Sequence, residues 1–431
     1  MNKQKLILVW TNLCRIFLAA VFIFSGFIKA NDPLGTAYKI QDYLEAWELT
    51  SLSYTVFPYI TSMVLGIFEF FLGINLLLGI RRRLMPFVTL VVMLVMTPIT
   101  LWLALDNPIS DCGCFGDAII LSNWETFAKN VILLIAAVSI FVYRNSILRL
   151  VSNKVDWMIS LYSIVFIICF TLYCYTKLPV FDFRPFSIGT DIYASMSIPE
   201  DAKKSVFETV FVYKKDGVKK KFTVDDYPKD TTWTFVDAET VLVERGYEPP
   251  IKDFTIITQE EGIDITEDVT TDRGYTFLLI APRMSEADDS DIDLINEVYD
   301  YSTEHGYRFL CLTASPDEDI EMWKDNTGAE YPFALSDEIT LKTIVRSSPG
   351  LVLIKDGKII NKWSSGDIPD EYQLAAPLEK LPIGELNHKT VMRRIVGLLG
   401  WFILPLFILF MADLLGLSIQ NLKKKRTSHT N

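Results

Sequence analysis

The basic residues of this chain form no stripe long enough to track a phosphate backbone, which excludes a nucleic-acid partner. Histidine is nearly absent, at three in 431 residues. Cysteine is sparse, at six: Cys14, Cys112, Cys114, Cys169, Cys174 and Cys311. Acidic residues are sparse outside one block. Residues 177–389 hold 23 Lys+Arg and 42 Asp+Glu, and everything else holds 18 and 11. The formal net charge of −12 is therefore −19 on one block and +7 on the remainder. What the chain does have is apolar surface. Half its residues are hydrophobic, and 28 Phe, 18 Tyr and 9 Trp exclude a disordered chain.

Six runs reach the ~20 mostly apolar residues that cross ~30 Å of hydrocarbon. They are 6–28, 54–80, 84–105, 127–143, 157–175 and 396–417, and they exclude a single soluble globule. The first follows Lys3 and Lys5 as a signal peptide would. It lacks a small-residue cleavage site with a polar flank, so it reads as a retained helix. Four short basic segments fall on one side of a six-span topology: Lys3 and Lys5, Arg81–Arg83, Arg144 to Lys154, and Lys423–Arg426. Such segments mark the cytoplasmic side. The expected protein spans the lipid bilayer of a bacterial inner membrane six times, with both termini cytoplasmic. The loops 32–50 and 106–124 and the block 177–389 are expected in the periplasm.

Within the block, 177–250 reads as a β-rich adaptor. Residues 206–222 alternate and turn at Lys215-Asp216-Gly217, a hairpin signal, and 232–243 alternate again. From Ile251 the pattern changes to strands alternating with helices: a buried strand at 275–281, an amphipathic helix at 291–305, a strand at 309–313, a short helix at 317–326, and a hairpin about Lys355-Asp356-Gly357. This order resembles thioredoxin-like domains of the membrane-tethered thiol-reductase type. The strand Tyr275–Ala281 leads into Pro282-Arg283, and Ser348-Pro349-Gly350 matches the proline loop, so the resemblance implies a cis bond before Pro349. The family's two cysteine positions fall at Met284 and Ala287, which form neither thiolate nor disulfide. Cys311 lies mid-strand and reads as an inert core residue. The unit 251–385 thus has the outline of a thiol oxidoreductase without its chemistry, and reads as a binding or scaffolding module.

The informative cysteines are in Asp111-Cys112-Gly113-Cys114-Phe115-Gly116-Asp117, on an expected periplasmic loop where disulfides persist. A Cys-Gly-Cys bridge closes a very small ring, and Gly113 supplies the backbone freedom. A ring that departs from relaxed disulfide geometry is easily reduced, which suits an exchanging pair better than a staple. Asp111 and Asp117 raise thiol pKa values, and Lys29 offsets this if it lies close. Three other readings stay open: a disulfide to another loop, a metal site, and thiols with no role. Zinc wants four ligands, usually Cys or His, and this loop offers two Cys, no His and only Asp besides. Cys169 and Cys174 stand ~140° apart on one helix and cannot bridge. Both read as packing residues, with Cys174 the better auxiliary for exchange with Cys112 or Cys114. Arg15 and Glu69 are ionisable residues inside spans, where such groups pair or function. Their depths suggest an Arg15–Glu69 ion pair, as a helix lock or as one wall of a polar pocket for a quinone or anion.

Taken together these residues resemble the DoxX/MauE superfamily of four-helix membrane proteins. Arg15, Gly26 and Lys29 in the first span, Glu69 and Gly73 in the second, and the Asp-Cys-Gly-Cys-Phe-Gly run carry the likeness. It implies a four-span domain at 1–150, followed by a fifth span at 151–176, the inserted block, a sixth span at 390–418 and a basic tail at 419–431. A similar layout is familiar in Bacteroidetes-type bacteria. The fold class expected is an α-helical polytopic membrane protein with an inserted periplasmic α/β thioredoxin-like domain. The resemblance implies a thiol–disulfide redox protein that works on a periplasmic thiol partner through Cys112 and Cys114, with a quinone as the carrier in the membrane. The rival is a non-enzymatic assembly factor whose module binds a client protein. A quinone-linked subunit acting on small sulfur anions ranks last, because the outer surface offers few cations beyond Lys29 and Lys39.

Overall fold

A computed structural model describes residues 3–109, 111–199, 202–203, 206–215, 218–223, 232–244, 246–386 and 388–428. Each apolar run is a helix. The first five spans are Lys3–Asn31, Phe57–Leu78, Leu84–Asp106, Asn123–Val142 and Asp156–Thr176, and the sixth is Arg393–Leu415 within the helix His388–Ser428. Helices satisfy every backbone group internally, as hydrocarbon demands. The first four spans share one core that includes Leu18, Phe22, Leu72, Leu76, Met93 and Ala137. The fifth adds Ile167 and Phe170 against Phe70 and Ile74 of the second. The sixth leans on the fifth through Phe402, whose ring centroid is 4.5 Å from that of Phe166. Near the opposite end Asp413 accepts the Ser152 N–H at 2.9 Å.

The first span does not lead straight into the second. Asp32 ends it and caps a rim helix, Pro33–Ala46, accepting the Gly35 N–H at 2.8 Å with Pro33 at the first helical position. This helix supplies Tyr38, Lys39 and Tyr43 to the site described below.

Two sheets follow the fifth span. In the first, β1 (Val206–Lys215) pairs antiparallel with β2 (Val218–Phe222) and with β3 (Thr234–Glu244). The expected turn residues Asp216 and Gly217 lie outside the described residues. The second sheet holds β4 (Ile257–Thr258), β5 (Tyr275–Ile280), β6 (Arg308–Thr313), β7 (Phe333–Leu335), β8 (Gly350–Lys355) and β9 (Lys358–Ser364) in the order β4-β7-β6-β5-β8-β9. β5, β6 and β7 run parallel, and β8 and β9 close the edge antiparallel. That is a thioredoxin-like α/β arrangement, with the helices Ile292–His305 and Asp317–Thr327 between its parallel strands. Side chains alternate across the sheet. Phe277, Leu279 and Cys311 fill one core, and Leu278, Ile280 and Leu312 fill the other.

The connection into this module is tied at two places. Asn31, at the end of the first span, exchanges two hydrogen bonds with the Phe181 backbone, at 2.8 and 3.0 Å. Asp182 then lies between Lys362 Nζ at 2.9 Å and Arg184 Nε at 2.7 Å. Those cations hold the Asp182 carboxyl well below its ordinary range despite burial, and burial pulls Lys362 down to about 8.

Candidate thiol site

The site is built on the loop between the third and fourth spans. The third span stops at Asn107, whose φ is +47°. The fourth starts with a capping box: Ser122 Oγ accepts the Glu125 N–H, and Glu125 Oε2 accepts the Ser122 N–H at 2.9 Å. Asn123 Nδ2 staples the two ends by donating to Asn107 Oδ1 and Ile109 O, both at 2.8 Å. Between them the chain turns at Gly113 with φ +67°, and a Cβ there would meet the Lys39 side chain at 3.0 Å.

This turn brings the Cys112 and Cys114 sulfurs to 2.9 Å, as free thiols. One proton serves both. Donated by Cys112, it pulls Cys114 down to about 6 against the cost of burial, and it pushes Cys112 above the ordinary thiol range. Lys129 and Lys29 add to the lowering at Cys114, and Glu69 opposes it. The direction of both shifts favours a thiolate on Cys114 over one on Cys112.

The surroundings fix the loop from three sides. Lys29 Nζ, near the end of the first span, donates to the Cys114 carbonyl at 2.9 Å, to Ser25 Oγ at 2.6 Å and to Glu69 Oε2 at 2.8 Å. Ser25 Oγ donates to the same carbonyl at 2.8 Å. Tyr43 of the rim helix donates its hydroxyl to the Cys112 carbonyl at 3.1 Å. Lys129 of the fourth span lies 4.3 Å from the centroid of the Phe115 ring, whose edge meets Phe24. The two flanking carboxylates are both paired: Asp111 with Lys39 at 2.7 Å, and Asp117 with Arg346 of the module at 3.3 Å.

The expected ion pair of Arg15 with Glu69 is not formed. Glu69 pairs with Lys29, both buried. Arg15 donates to the Leu148 carbonyl near the other end of the bundle, beside Gly79. Gly79 is ten residues past Glu69, about 15 Å along the helix. Depths reckoned from span centres fail because the two helices are staggered: Glu69, near the middle of the second, lies level with Lys29, near the end of the first. The pocket expected between Arg15 and Glu69 goes with the pair. Cys174 is buried among Ala30, Phe70 and Phe170, in a packing role. Cys14 lies in the four-span core.

In the module, Met284 opens a single helical turn after β5. It is 3% exposed, with its N–H donated to Ser315 Oγ at 2.8 Å. Ala287 ends that turn by bonding back to the Met284 carbonyl. Cys311 is fully buried, which pushes its thiol up. The Ser348–Pro349 peptide bond is cis, as the resemblance implied. Pro282, Arg283, Glu286 and Ser348 line one side of a cleft of about 950 Å³, and the loop's Asp111, Gly113 and Asp117 line another. The module's cysteine-less turn and the loop that carries the cysteines thus border one space. The sulfurs themselves border a separate recess of about 10 Å³ beside Ile119 and Ile120.

Sequence reasoning missed Lys129, Ser25 and Arg346. Ser25 was in reach, because it lies four residues before Lys29 and so shares its helix face. Lys129 was a third charge inside a span, after Arg15 and Glu69. Arg346 lies 229 residues from Asp117, and no local pattern joins them.

Residues 4–143 match the family model described as methylamine utilisation protein MauE. The chain is a multi-pass membrane protein whose first four spans are a MauE-type domain. Residues 207–245, covering most of β1 through β3, match a domain of unknown function (DUF8463). A solved structure from Bacteroides thetaiotaomicron, described as a "putative protein disulfide isomerase", aligns with 32% of this chain and 91% of its own. Its identity is 18% and its TM-score 0.25. No curated protein matches the chain.

Proposed function

We propose that this membrane protein is a thiol–disulfide redox protein whose reactive pair is Cys112 and Cys114. The observation that carries the reading is two free sulfurs 2.9 Å apart, in surroundings that lower the Cys114 thiol. The Cys114 thiolate attacks one sulfur of a partner disulfide. A mixed disulfide forms, and the partner's other sulfur leaves as thiolate and takes up a proton. Cys112 then gives up its proton and attacks Cys114. The Cys112–Cys114 disulfide forms and the second partner sulfur leaves as a thiol. Two electrons pass to the partner, with one proton from Cys112 and one from solvent, and the reverse exchange retraces the same steps.

The partner is a protein thiol outside the membrane, and the module holds it over the loop. The concentration of basic residues at the end away from the module supports a cytoplasmic location for that end and a periplasmic one for the loop. The recess the sulfurs border has room for about one water. The assembly-factor reading keeps one specific observation in its favour, the loss of both thiols at Met284 and Ala287.

The test uses the full chain in detergent micelles and a chromogenic aryl disulfide that releases a coloured thiolate. The wild-type rate rises with pH about a midpoint near 6. The thiolate is present above that value and is lost below it, whereas an ordinary cysteine turns on near 8.5. Cys112→Ser stops at the mixed disulfide on Cys114. In membranes the same variant accumulates a reductant-sensitive adduct with its protein partner. If Cys112→Ser traps nothing, and thiol trapping finds the wild-type pair in one state in both oxidised and reduced cells, the pair is a staple and the assembly reading replaces this one.

A further inference from the structure

The module's turn at Met284 and Ala287 carries no thiol, yet Arg346 of the module reaches the thiol loop. Asp111 and Asp117 flank the cysteines, and their counter-ions come from different parts of the molecule. Lys39 belongs to the rim helix of the membrane domain. Arg346 belongs to the module, two residues before the cis Ser348–Pro349 bond. Arg346 is 7% exposed. Its Nε donates to both Asp32 carboxylate oxygens, at 3.1 and 2.9 Å, and its Nη2 is 2.9 Å from Asp32 Oδ2. The same Nη2 reaches Asp117 Oδ2 at 3.3 Å, and Nη1 donates to the Lys342 carbonyl. The Tyr38 ring centroid lies 5.5 Å from the guanidinium. Position 35 has no side chain, and a Cβ there would lie 2.6 Å from Nη2. The membrane domain is shaped to admit this arginine. A buried, forked and fully engaged guanidinium differs in kind from an exposed ion pair of ~0–1 kcal/mol.

We propose that the module acts on the thiols in cis: Arg346 is a positioning residue that holds and neutralises Asp117, so that reactivity of the Cys112–Cys114 pair depends on the module being docked. The inference rests on the reading of that pair as a reactive dithiol. The groups that act on Cys114 are Lys29 from the first span, Glu69 from the second, Lys129 from the fourth and Cys112 beside it, while Asp111 and Asp117 flank the pair on its own loop and Asp32 shares Arg346 with Asp117. Tyr43 of the rim helix faces Cys112. Lys39 balances Asp111, and Arg346 balances Asp117. With Arg346 removed, Asp32 and Asp117 both lose their cation, Asp117 standing three residues from Cys114, and an unbalanced carboxylate there disfavours a thiolate.

The experiment follows alkylation of the reduced, full-length protein by iodoacetamide across pH. Mass spectrometry reads the peptide that carries Cys112 and Cys114. At pH 5, below the midpoint, Arg346→Met slows alkylation about threefold, an upward midpoint shift of about half a pKa unit. Adding Asp117→Asn to that variant recovers most of the lost rate, because the carboxylate that Arg346 balanced on the thiol loop is gone. Arg346→Lys gives an intermediate rate. A purely structural role for Arg346 predicts no such rescue. Asp117→Asn alone leaves the module's arginine on Asp32, and alkylates as fast as wild type or faster. That variant decides the matter if Arg346→Met folds poorly, since slower alkylation there overturns the proposal. A wild-type profile in Arg346→Met, or a double variant as slow as the single, also overturns it. Wild-type thiols that titrate near 8.5 would instead sink the dithiol reading, whatever Arg346 does.

Discussion

Two turns border the same cleft. One follows β5 of the thioredoxin-like module and runs through Met284 to Ala287. The other is the loop from Cys112 to Cys114 on the membrane bundle. The first sits at the end of a buried central strand, the position at which the module's resemblance places thiols, and it carries none. Its Met284 is folded into the core and its backbone is committed to Ser315. The second sits on helices with no strand to present it. It has the sulfurs in contact, a shared proton and two lysines nearby. Chemistry here follows the local set of charges and donors and not the architecture around it. A thioredoxin outline is evidence of shape, and a Cys-Gly-Cys turn needs only a rigid pair of helix ends to hold it.

The sharpest way to break the comparison is to remove what only the loop has. Lys29→Met leaves the Glu69 carboxylate buried without its cation, at a cost of about 3–5 kcal/mol, seen as a lower unfolding temperature in detergent. Arg15→Met, which loses a hydrogen bond to a carbonyl, costs less, about 1.5–3 kcal/mol. Equal losses would mean that Lys29 holds no special place under the loop. A smaller effect comes from moving the thiols. Met284→Cys with Ala287→Cys, placed in a Cys112→Ser/Cys114→Ser chain, reacts with the aryl disulfide about a hundredfold more slowly than wild type, because position 284 is buried and the neighbouring Arg283 is held by Glu286 and Glu338. A recovered rate would show that the module's turn is still competent. The smallest effect is at Cys311. Cys311→Ala lowers stability by about 1 kcal/mol and leaves alkylation of the loop unchanged. A slower loop would make that buried thiol part of the site.

Much of the fold was legible. Apolar runs of about twenty residues have one outcome in hydrocarbon, so the six spans followed from length and composition. The strand and helix order of the module followed from periodicity, Met284 and Ala287 lie in the turn that follows β5, and the bond before Pro349 is cis. The loop cysteines were legible as a pair because they are two residues apart. Lys29 was named, but its partner was assigned wrongly. Hydropathy sets how many residues lie in the membrane and not how neighbouring helices are staggered. The rim helix after Asp32 lets the first and second spans run to different heights, which places Glu69 beside Lys29 and Gly79 beside Arg15. Arg346 was beyond reach for a different reason. Its partners Asp32 and Asp117 are set by how a whole module docks, and docking leaves no periodicity in the chain.

The module is inserted between the fifth and sixth spans, so both of its ends return to the bilayer, and Asn31 grips the incoming strand at Phe181. Arg346 and Asp117 are therefore never free to diffuse apart. Their encounter is intramolecular, and short tethers keep such partners at effective concentrations of about millimolar. Dilution, low copy number or crowding in the membrane leaves that encounter unchanged. Only something that enters the cleft and competes for the same groups can hold the two apart.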